Sequence, residues 1–172
     1  MEYIFLSGIH GVGKTTLANR LKNIINIKSM SVSDLIRKAG KKLDNTKKNI
    51  DGISKNQDLW KKELNNIDIG DSKLLLDGHF CLLDIDENIT RLPFSTFYDT
   101  NMTKIVLMKN NPYIIRDRLL SRDKKEYSID LIDKFQQCEV QQAINYSTEK
   151  KVNLFIFDQD ESISKLADFI TT

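Results

Sequence analysis

Short apolar runs alternate along the chain with longer segments in which apolar residues recur at helical spacing. Runs that are apolar at consecutive positions are typical of strands in a parallel sheet that is covered on both faces. Their alternation with amphipathic segments predicts an open, doubly wound α/β domain with long crossovers. The predicted strands are 3–7, 73–77, 104–108 and 153–157, with 27–31 as a weaker fifth, and the predicted helices are 14–25, 33–43, 55–66, 112–122, 129–149 and 161–170.

Residues 80–98 interrupt this alternation. The segment CLLDIDENITRLP is typical of a small β-hairpin that turns near Asp86, Glu87 and Asn88, inserted after the third strand. The sequence has no internal repeat, no low-complexity block and only two prolines, so nothing marks a linker between domains. We therefore expect residues 1–172 to form a single domain.

Composition narrows the possible functions without identifying one. The 172 residues carry a net charge of +2, so the total gives no strong nucleic-acid signal and no affinity for an anionic membrane. The apolar run near the N-terminus is too short for a signal peptide or a membrane span, which favours a cytoplasmic protein without a membrane partner. Cys81 and Cys138 lie in no metal-ligand pattern and are expected to be small core residues in a reducing compartment.

The residues with the clearest chemical meaning follow the first strand. Gly8, four further residues and then Gly13-Lys14-Thr15 satisfy the phosphate-loop pattern G-x-x-x-x-G-K-[ST] between a buried strand and a helix. Glycines let consecutive backbone amides point at phosphate oxygens, and the helix adds its unpaired amides. We expect Lys14 to reach the β- and γ-phosphates of ATP, and the Thr15 hydroxyl to bind Mg²⁺. The candidate nucleotide-binding residues are Gly8, His10, Gly11, Val12, Gly13, Lys14, Thr15, Thr16 and, from a later helix, Arg118.

A phosphoryl-transfer site also needs an acid for the metal and cations for the transferred charge. Asp77 ends an apolar run and is the candidate metal ligand beside Thr15, with Asp158 as a competing acid. Arg118 and Arg122 are four residues apart on one predicted helix and therefore share a face. The polar segment after them suits a short mobile lid that carries guanidinium groups to the phosphates. The candidate catalytic residues are Lys14, Asp77, Arg118 and Arg122.

The phosphate loop makes the predicted fold class that of a P-loop NTPase. The expected architecture is a doubly wound, five-stranded parallel sheet in the order 2-3-1-4-5, with helices on both faces. A small β-hairpin near 80–98 and a short lid near 118–128 are expected as additions to this framework.

Ordered motifs over much of the chain resemble those of the nucleoside monophosphate kinases, of which adenylate kinase is the best-known member. MSVSDLIRKA is similar to the family's monophosphate-binding helix, LLLDGHF to its strand ending in Asp-Gly, and RDRLLSRD to its Arg-Leu-x-x-Arg stretch. The resemblance implies that Ser33, Asp34 and Arg37 bind the acceptor, with Arg37 contacting its phosphate. It also implies that Arg118 and Arg122 contact the base and phosphates of ATP.

Two departures from the family pattern leave the acceptor open. After Asp-Gly the family commonly has Pro-Arg, whereas this chain has His-Phe-Cys at 79–81. The resulting Asp-x-His spacing resembles the atypical small adenylate kinases, some of which are linked to ribosome assembly. His79 is a candidate acceptor ligand, and a packed, hydrogen-bonded histidine is equally consistent with the sequence. No arginine follows Arg122, so Lys124 and Lys125 are left to replace the family's second arginine pair.

The main hypothesis is therefore a kinase that uses ATP and Mg²⁺ to phosphorylate a small acceptor, above all a nucleoside monophosphate. The alternative from another class is an ATP-hydrolysing switch or assembly factor that acts on a protein or RNA partner. A kinase for a non-nucleotide metabolite or a polynucleotide end is also consistent with the loop. The motifs do not distinguish ATP from GTP as the phosphate donor.

Overall fold

Each of the five predicted strands is present and is followed by a helix or by the hairpin. The computed structural model describes residues 1–39 and 60–172, so residues 40–43 and 55–59 of two predicted helices lie outside the described residues. Residues 60–65 are helical and are labelled α3. The other elements are β1 (Glu2–Ser7), α1 (Lys14–Lys22), β2 (Ile27–Ser31), α2 (Val32–Lys38), β3 (Lys73–Gly78), β4 (Cys81–Leu83), β5 (Ile89–Arg91), β6 (Asn101–Met108), α4 (Pro112–Asp123), α5 (Ile129–Lys150), β7 (Asn153–Phe157) and α6 (Ile163–Thr171), with a 3-10 helix at Phe94–Phe97.

Five strands form a parallel sheet in the order β2-β3-β1-β6-β7. Counted among these strands alone, this is the order 2-3-1-4-5, so the predicted doubly wound sheet is confirmed. β1 is central, and its Phe5 is in register with Leu76 of β3 and with Ile105 of β6. Because the strands are parallel, their carboxyl ends meet at one edge of the sheet, where ligands bind in folds of this type.

Alternate residues of the central strand point to opposite faces of the sheet, so the strand contributes to two of the three apolar cores of the described residues. Tyr3 and Phe5 belong to a core that also contains residues of α2, α3 and α5. Ile4 and Leu6 belong to the other core, which they share with α1 and α6. A strand between two such cores has no polar face, which explains why β1 is apolar at consecutive positions.

The first helix is shorter than predicted. α1 ends at Lys22 rather than at residue 25, and Asn23 is its C-cap. The amides of Ile24 and Ile25 both bond to the carbonyl oxygen of Leu21, and the Ile24 side chain is 51% exposed. Ile24 therefore matches the apolar spacing that predicted a longer helix, but its side chain is not part of the core. Of the helices in the two described stretches, none is both long enough and apolar enough to cross a bilayer.

The predicted hairpin is also confirmed. β4 and β5 are antiparallel, with Leu82 opposite Thr90. The Asp84 side chain closes the turn by accepting a hydrogen bond from the amide of Asn88 at 2.8 Å. An ion pair of 3.1 Å between Glu87 and Lys125 joins the tip of the hairpin to the connection between α4 and α5. The hairpin therefore contacts the segment that was predicted to be a lid.

The two cysteines join the hairpin to α5. Cys81 of β4 and Cys138 of α5 are free thiols whose sulfur atoms lie 2.8 Å apart. Cys81 is fully buried, whereas Cys138 is partly buried and accepts a hydrogen bond from Nε of Arg91 at 3.4 Å. The prediction of small core residues therefore holds for Cys81 and only partly for Cys138.

Candidate active site

The loop between β1 and α1 lies at the carboxyl edge of the sheet, beside the ends of β3 and β6. Gly8 and Gly13 have φ angles of 147° and 113°, a region that side chains disfavour. A Cβ on Gly8 would lie 2.8 Å from the carbonyl oxygen of Met108, so a larger residue would push the loop away from β6. Gly13 is the N-cap of α1 and offers no capping side chain, so no such cap covers the first amides of the helix.

The Lys14 side chain is folded over this loop and is only 7% exposed. Its Nζ atom donates a hydrogen bond to the carbonyl oxygen of Gly8 and lies 3.5 Å from Asp77 Oδ1 and 3.1 Å from His79 Nε2. Burial lowers the pKa of Lys14, and the negative charges of Asp77 and Glu139 oppose that shift. Lys14 therefore joins the loop to the end of β3.

Asp77 and Thr15 supply oxygen atoms at this edge of the sheet. Asp77 is in register with Leu6 of β1 and Ser31 of β2, and Thr15 is exposed in the first turn of α1. Burial raises the pKa of Asp77, and the ammonium group of Lys14 opposes that shift. A carboxylate and a hydroxyl are ligands of the type that Mg²⁺ prefers. Within residues 1–39 and 60–172, no three His, Cys, Asp or Glu side chains are grouped so as to hold a metal.

Two histidines lie together next to Lys14. The ring of His10, in the loop, and the ring of His79, after β3, have centroids 4.3 Å apart. Gly78, which directly precedes His79, packs against the ring of Phe5, and a Cβ at this position would overlap that ring. The sequence placed His10 with the nucleotide and His79 with the acceptor, and the structure brings their rings into contact.

Of the two candidate arginines of α4, Arg118 contacts the phosphate loop and Arg122 affects Lys14 through its charge alone. Arg118 Nη1 donates hydrogen bonds to the carbonyl oxygens of Val12 at 2.8 Å and Gly11 at 3.3 Å. Arg122 forms an ion pair of 2.6 Å with Asp123, and its positive charge also contributes to the lowered pKa of Lys14. The lid was predicted near residues 118–128, but α4 continues to Asp123. The non-helical connection to α5 is therefore limited to residues 124–128.

The predicted acceptor residues lie on α2 and are more exposed than the loop. Ser31 caps this helix by accepting a hydrogen bond from the amide of Asp34, while the predicted Ser33 is exposed. Arg37 is 68% exposed, and its Nη1 atom lies 3.0 Å from Asp34 Oδ1. The negative charge of Asp34 contributes to the raised pKa of Asp77, so α2 is within electrostatic reach of the end of β3.

Sequence reasoning missed Glu139 of α5. Its side chain is 1% exposed. The carboxylate accepts hydrogen bonds from four groups near the loop: the Ser7 hydroxyl and the amides of Gly8, Phe80 and Cys81. Burial raises the pKa of Glu139, and these hydrogen bonds and the charge of Lys14 oppose that shift. The sequence did contain a signal, since Glu139 lies four positions from the buried Phe135 and Ala143 and so interrupts an apolar stripe.

Comparisons with known proteins agree with the geometry of the loop. Residues 7–136 match the family described as an AAA domain, a stretch that runs from the end of β1 into α5. No curated protein matches the chain significantly. The crystal structure of TT1252 from Thermus thermophilus is similar with a TM-score of 0.56, over 98% of this chain and 95% of that one. The two sequences are 11% identical, so this likeness shows a shared fold alone.

Proposed function

The chain belongs to the AAA domain family of P-loop kinase-like proteins, and from this premise we propose that it transfers a phosphoryl group from ATP to a small acceptor, above all a nucleoside monophosphate. The convergence of Lys14, Asp77 and His79 beside the glycine loop carries the proposal. Phosphoryl transfer is catalysed mainly by positioning and by electrostatic stabilisation of charged oxygens, which suits such a cluster. We further propose that residues 1–172 form one domain and that the protein is cytoplasmic.

The loop binds the triphosphate of ATP through main-chain amides and one lysine. No side chain caps Gly13, so the first amides of α1 can donate to phosphate oxygens. Lys14 exchanges its bond to the Gly8 carbonyl for the β- and γ-phosphates. Arg118, already bonded to the loop, adds a guanidinium group that can bind phosphate with two parallel hydrogen bonds. Arg122 adds positive charge one turn further along α4.

Thr15 and Asp77 are the residues that hold Mg²⁺ in this proposal. Both supply oxygen atoms at the carboxyl edge of the sheet, and Asp77 is 22% exposed, so its carboxylate is accessible from the site. Bound there, the ion neutralises charge on the phosphate oxygens. The ammonium group of Lys14, 3.5 Å from Asp77, favours the ionised form of the carboxylate that the ligand role requires.

The acceptor binds between α2 and the end of β3. Asp34 orients the exposed guanidinium group of Arg37 through their ion pair, and Arg37 contacts the acceptor phosphate. Ser33 offers an exposed hydroxyl one helical turn before it. His79, in contact with both Lys14 and His10, faces the acceptor from the other side.

The direct test is a screen of common nucleoside and deoxynucleoside monophosphates with ATP and Mg²⁺, read by chromatography as formation of the corresponding diphosphates. We expect at least one monophosphate to be converted, with ADP formed in equal amount. Binding of ATP without conversion of any monophosphate would contradict the nucleotide-kinase proposal.

An ATP-hydrolysing switch is a second candidate, favoured by the inserted hairpin. The Glu87–Lys125 ion pair connects the hairpin tip to the 124–128 segment, next to the candidate ATP site. A partner that moved the hairpin would therefore act on the cations of α4. This function predicts slow ATP hydrolysis that a protein or RNA stimulates, in a protein that phosphorylates none of the monophosphates.

A further inference from the structure

One buried carboxylate joins the two chain segments that surround Lys14. The first segment is the junction of β1 and the loop, where Glu139 accepts from the Gly8 amide at 3.1 Å and from the Ser7 hydroxyl. The second is the turn from β3 to β4, where it accepts from the amides of Phe80 at 2.9 Å and Cys81 at 2.7 Å.

These segments provide the groups that contact the lysine. The first carries the Gly8 carbonyl oxygen, to which Lys14 Nζ donates. The second carries His79, whose Nε2 atom lies 3.1 Å from the same nitrogen and which directly precedes Phe80. Glu139 itself is a helix residue 131 positions after Gly8, so neither segment could be held in this way by local sequence.

The chemistry of the contact favours a fixed geometry. A carboxylate has two oxygens that accept several hydrogen bonds, and those to an ionised acceptor are shorter and stronger than neutral ones. At 1% exposure, Glu139 is shielded from bulk water. Its negative charge also favours the charged form of Lys14.

We propose that Glu139 is a positioning residue that ties the phosphate loop to the turn carrying His79, so that Lys14 and His79 stay aligned for phosphoryl transfer. This inference rests on the proposed function. In this role Glu139 acts through the main chain of both segments. Displacement of catalytic groups by about 1 Å can lower a rate by roughly 100-fold.

The experiment compares Glu139→Gln with the wild type for stability, Mg–ATP affinity by calorimetry and turnover with the best acceptor. Glutamine keeps the size of the side chain but places an NH₂ group against amide donors. Glu139→Asp keeps the charge with a shorter reach and serves as a second variant if the first folds poorly. Two controls lie on α5: Glu149→Gln removes an exposed charge, and Ala143→Gly destabilises the helix in the apolar core.

We expect kcat of Glu139→Gln to fall by about 100-fold at a temperature where every variant is folded, with weaker Mg–ATP binding. Ala143→Gly is expected to lose stability and keep its kcat. If Glu139→Gln lost stability but kept its kcat, as is expected of Ala143→Gly, Glu139 would be a structural residue only. If the wild type bound Mg–ATP but phosphorylated no acceptor, the kinase proposal would fail. The Mg–ATP affinities of the wild type and Glu139→Gln would still test whether Glu139 positions the phosphate loop. An equal affinity in wild type and Glu139→Gln would then overturn the inference.

Discussion

At the phosphate loop the side chains of Lys14 and Glu139 are buried and bonded to main-chain groups, whereas on α2 those of Arg37 and Asp34 are exposed and bonded to each other. Lys14 and Glu139 are 7% and 1% exposed, and both bond to loop or turn backbone. Arg37 and Asp34 are 68% and 45% exposed and form an ion pair with each other. The donor side of the candidate site is therefore built into the fold, and the acceptor side is not.

This difference indicates how the two sides acquire specificity. A loop backbone that is held by buried contacts presents the same amide groups to any triphosphate that fits the loop. An exposed arginine paired with one carboxylate can adjust to different acceptors, since a surface ion pair stabilises its geometry by only about 0–1 kcal/mol. Substitutions on the two sides should therefore affect different kinetic constants.

The largest effect is expected on the donor side, for Lys14→Ala. Turnover should fall by about 1,000-fold, because a preorganised cation beside the developing phosphate charge is lost. The melting temperature of the free protein should stay close to that of the wild type, because the unpaired Asp77 remains partly open to water. Steady-state kinetics and thermal unfolding provide the measurements. Lys22→Ala, on an exposed position of the same helix, is the charge-matched control. Equal turnover in the two variants would show that the loop is not the donor site.

Arg118→Ala should have the next largest effect. The loss of hydrogen bonds to charged phosphate, worth about 2 kcal/mol, would weaken Mg–ATP binding by roughly 30-fold. Arg116→Ala is the matched control, because Arg116 lies on the same helix and pairs with Asp117 instead of the loop. Calorimetric titrations of both variants decide the matter. Similar Mg–ATP affinities in Arg118→Ala and Arg116→Ala would show that Arg118 does not bind the nucleotide.

Arg37→Ala tests the acceptor side. It should raise the KM for the acceptor by about tenfold, equivalent to about 1.4 kcal/mol. The rate of phosphoryl transfer at low acceptor concentration should fall by the same factor. Its affinity for ATP should match that of the wild type, because no contact joins Arg37 to the loop among the described residues. Lys38→Ala, the neighbouring exposed cation, should change neither constant. A parallel loss of ATP affinity in Arg37→Ala would mean that the two sides are not separate.

The smallest effect concerns the pH dependence of stability at Glu139. Burial raises its pKa above the ordinary value of 4.5, so the folded protein holds this proton more tightly than the unfolded chain. In the wild type, the contribution of Glu139 to the free energy of unfolding is therefore lost as the pH rises through the raised pKa. Glu139→Gln has no such group and should not show this loss. The facing groups Lys14 and Cys81 are common to both proteins. Urea unfolding between pH 4 and pH 8 should show the variant gaining relative stability with pH, and the opposite slope would contradict the burial argument.

The donor side was accessible from sequence because its signals are local. Gly8, Gly13 and Lys14 lie within seven consecutive residues. At both glycines the backbone has a positive φ angle that would strain any residue with a side chain. The sheet order followed from apolar runs and from the phosphate-loop fold class, and it was confirmed. The end of α1 was misjudged because Ile24 continues the apolar spacing although its side chain is exposed.

The remaining features depend on tertiary contacts between distant residues. Glu139 bonds to an amide 131 residues away, and the contact of the His10 and His79 rings depends on how the ends of β1 and β3 pair. The bonds from Arg118 to the loop also require α4 to pack across it. No spacing rule within one element encodes such contacts, so sequence patterns named His10, His79 and Arg118 without their partners and missed Glu139.

Calorimetric titration of Mg–ATP into the wild type, Lys14→Ala and Arg37→Ala tests the central claim most directly, namely that the donor site lies at the phosphate loop and is separate from α2. The account predicts saturable binding of one nucleotide by the wild type, the same affinity in Arg37→Ala, and loss of binding in Lys14→Ala. Folded wild-type protein that takes up no Mg–ATP, or Lys14→Ala that binds it as tightly as the wild type, would contradict the claim.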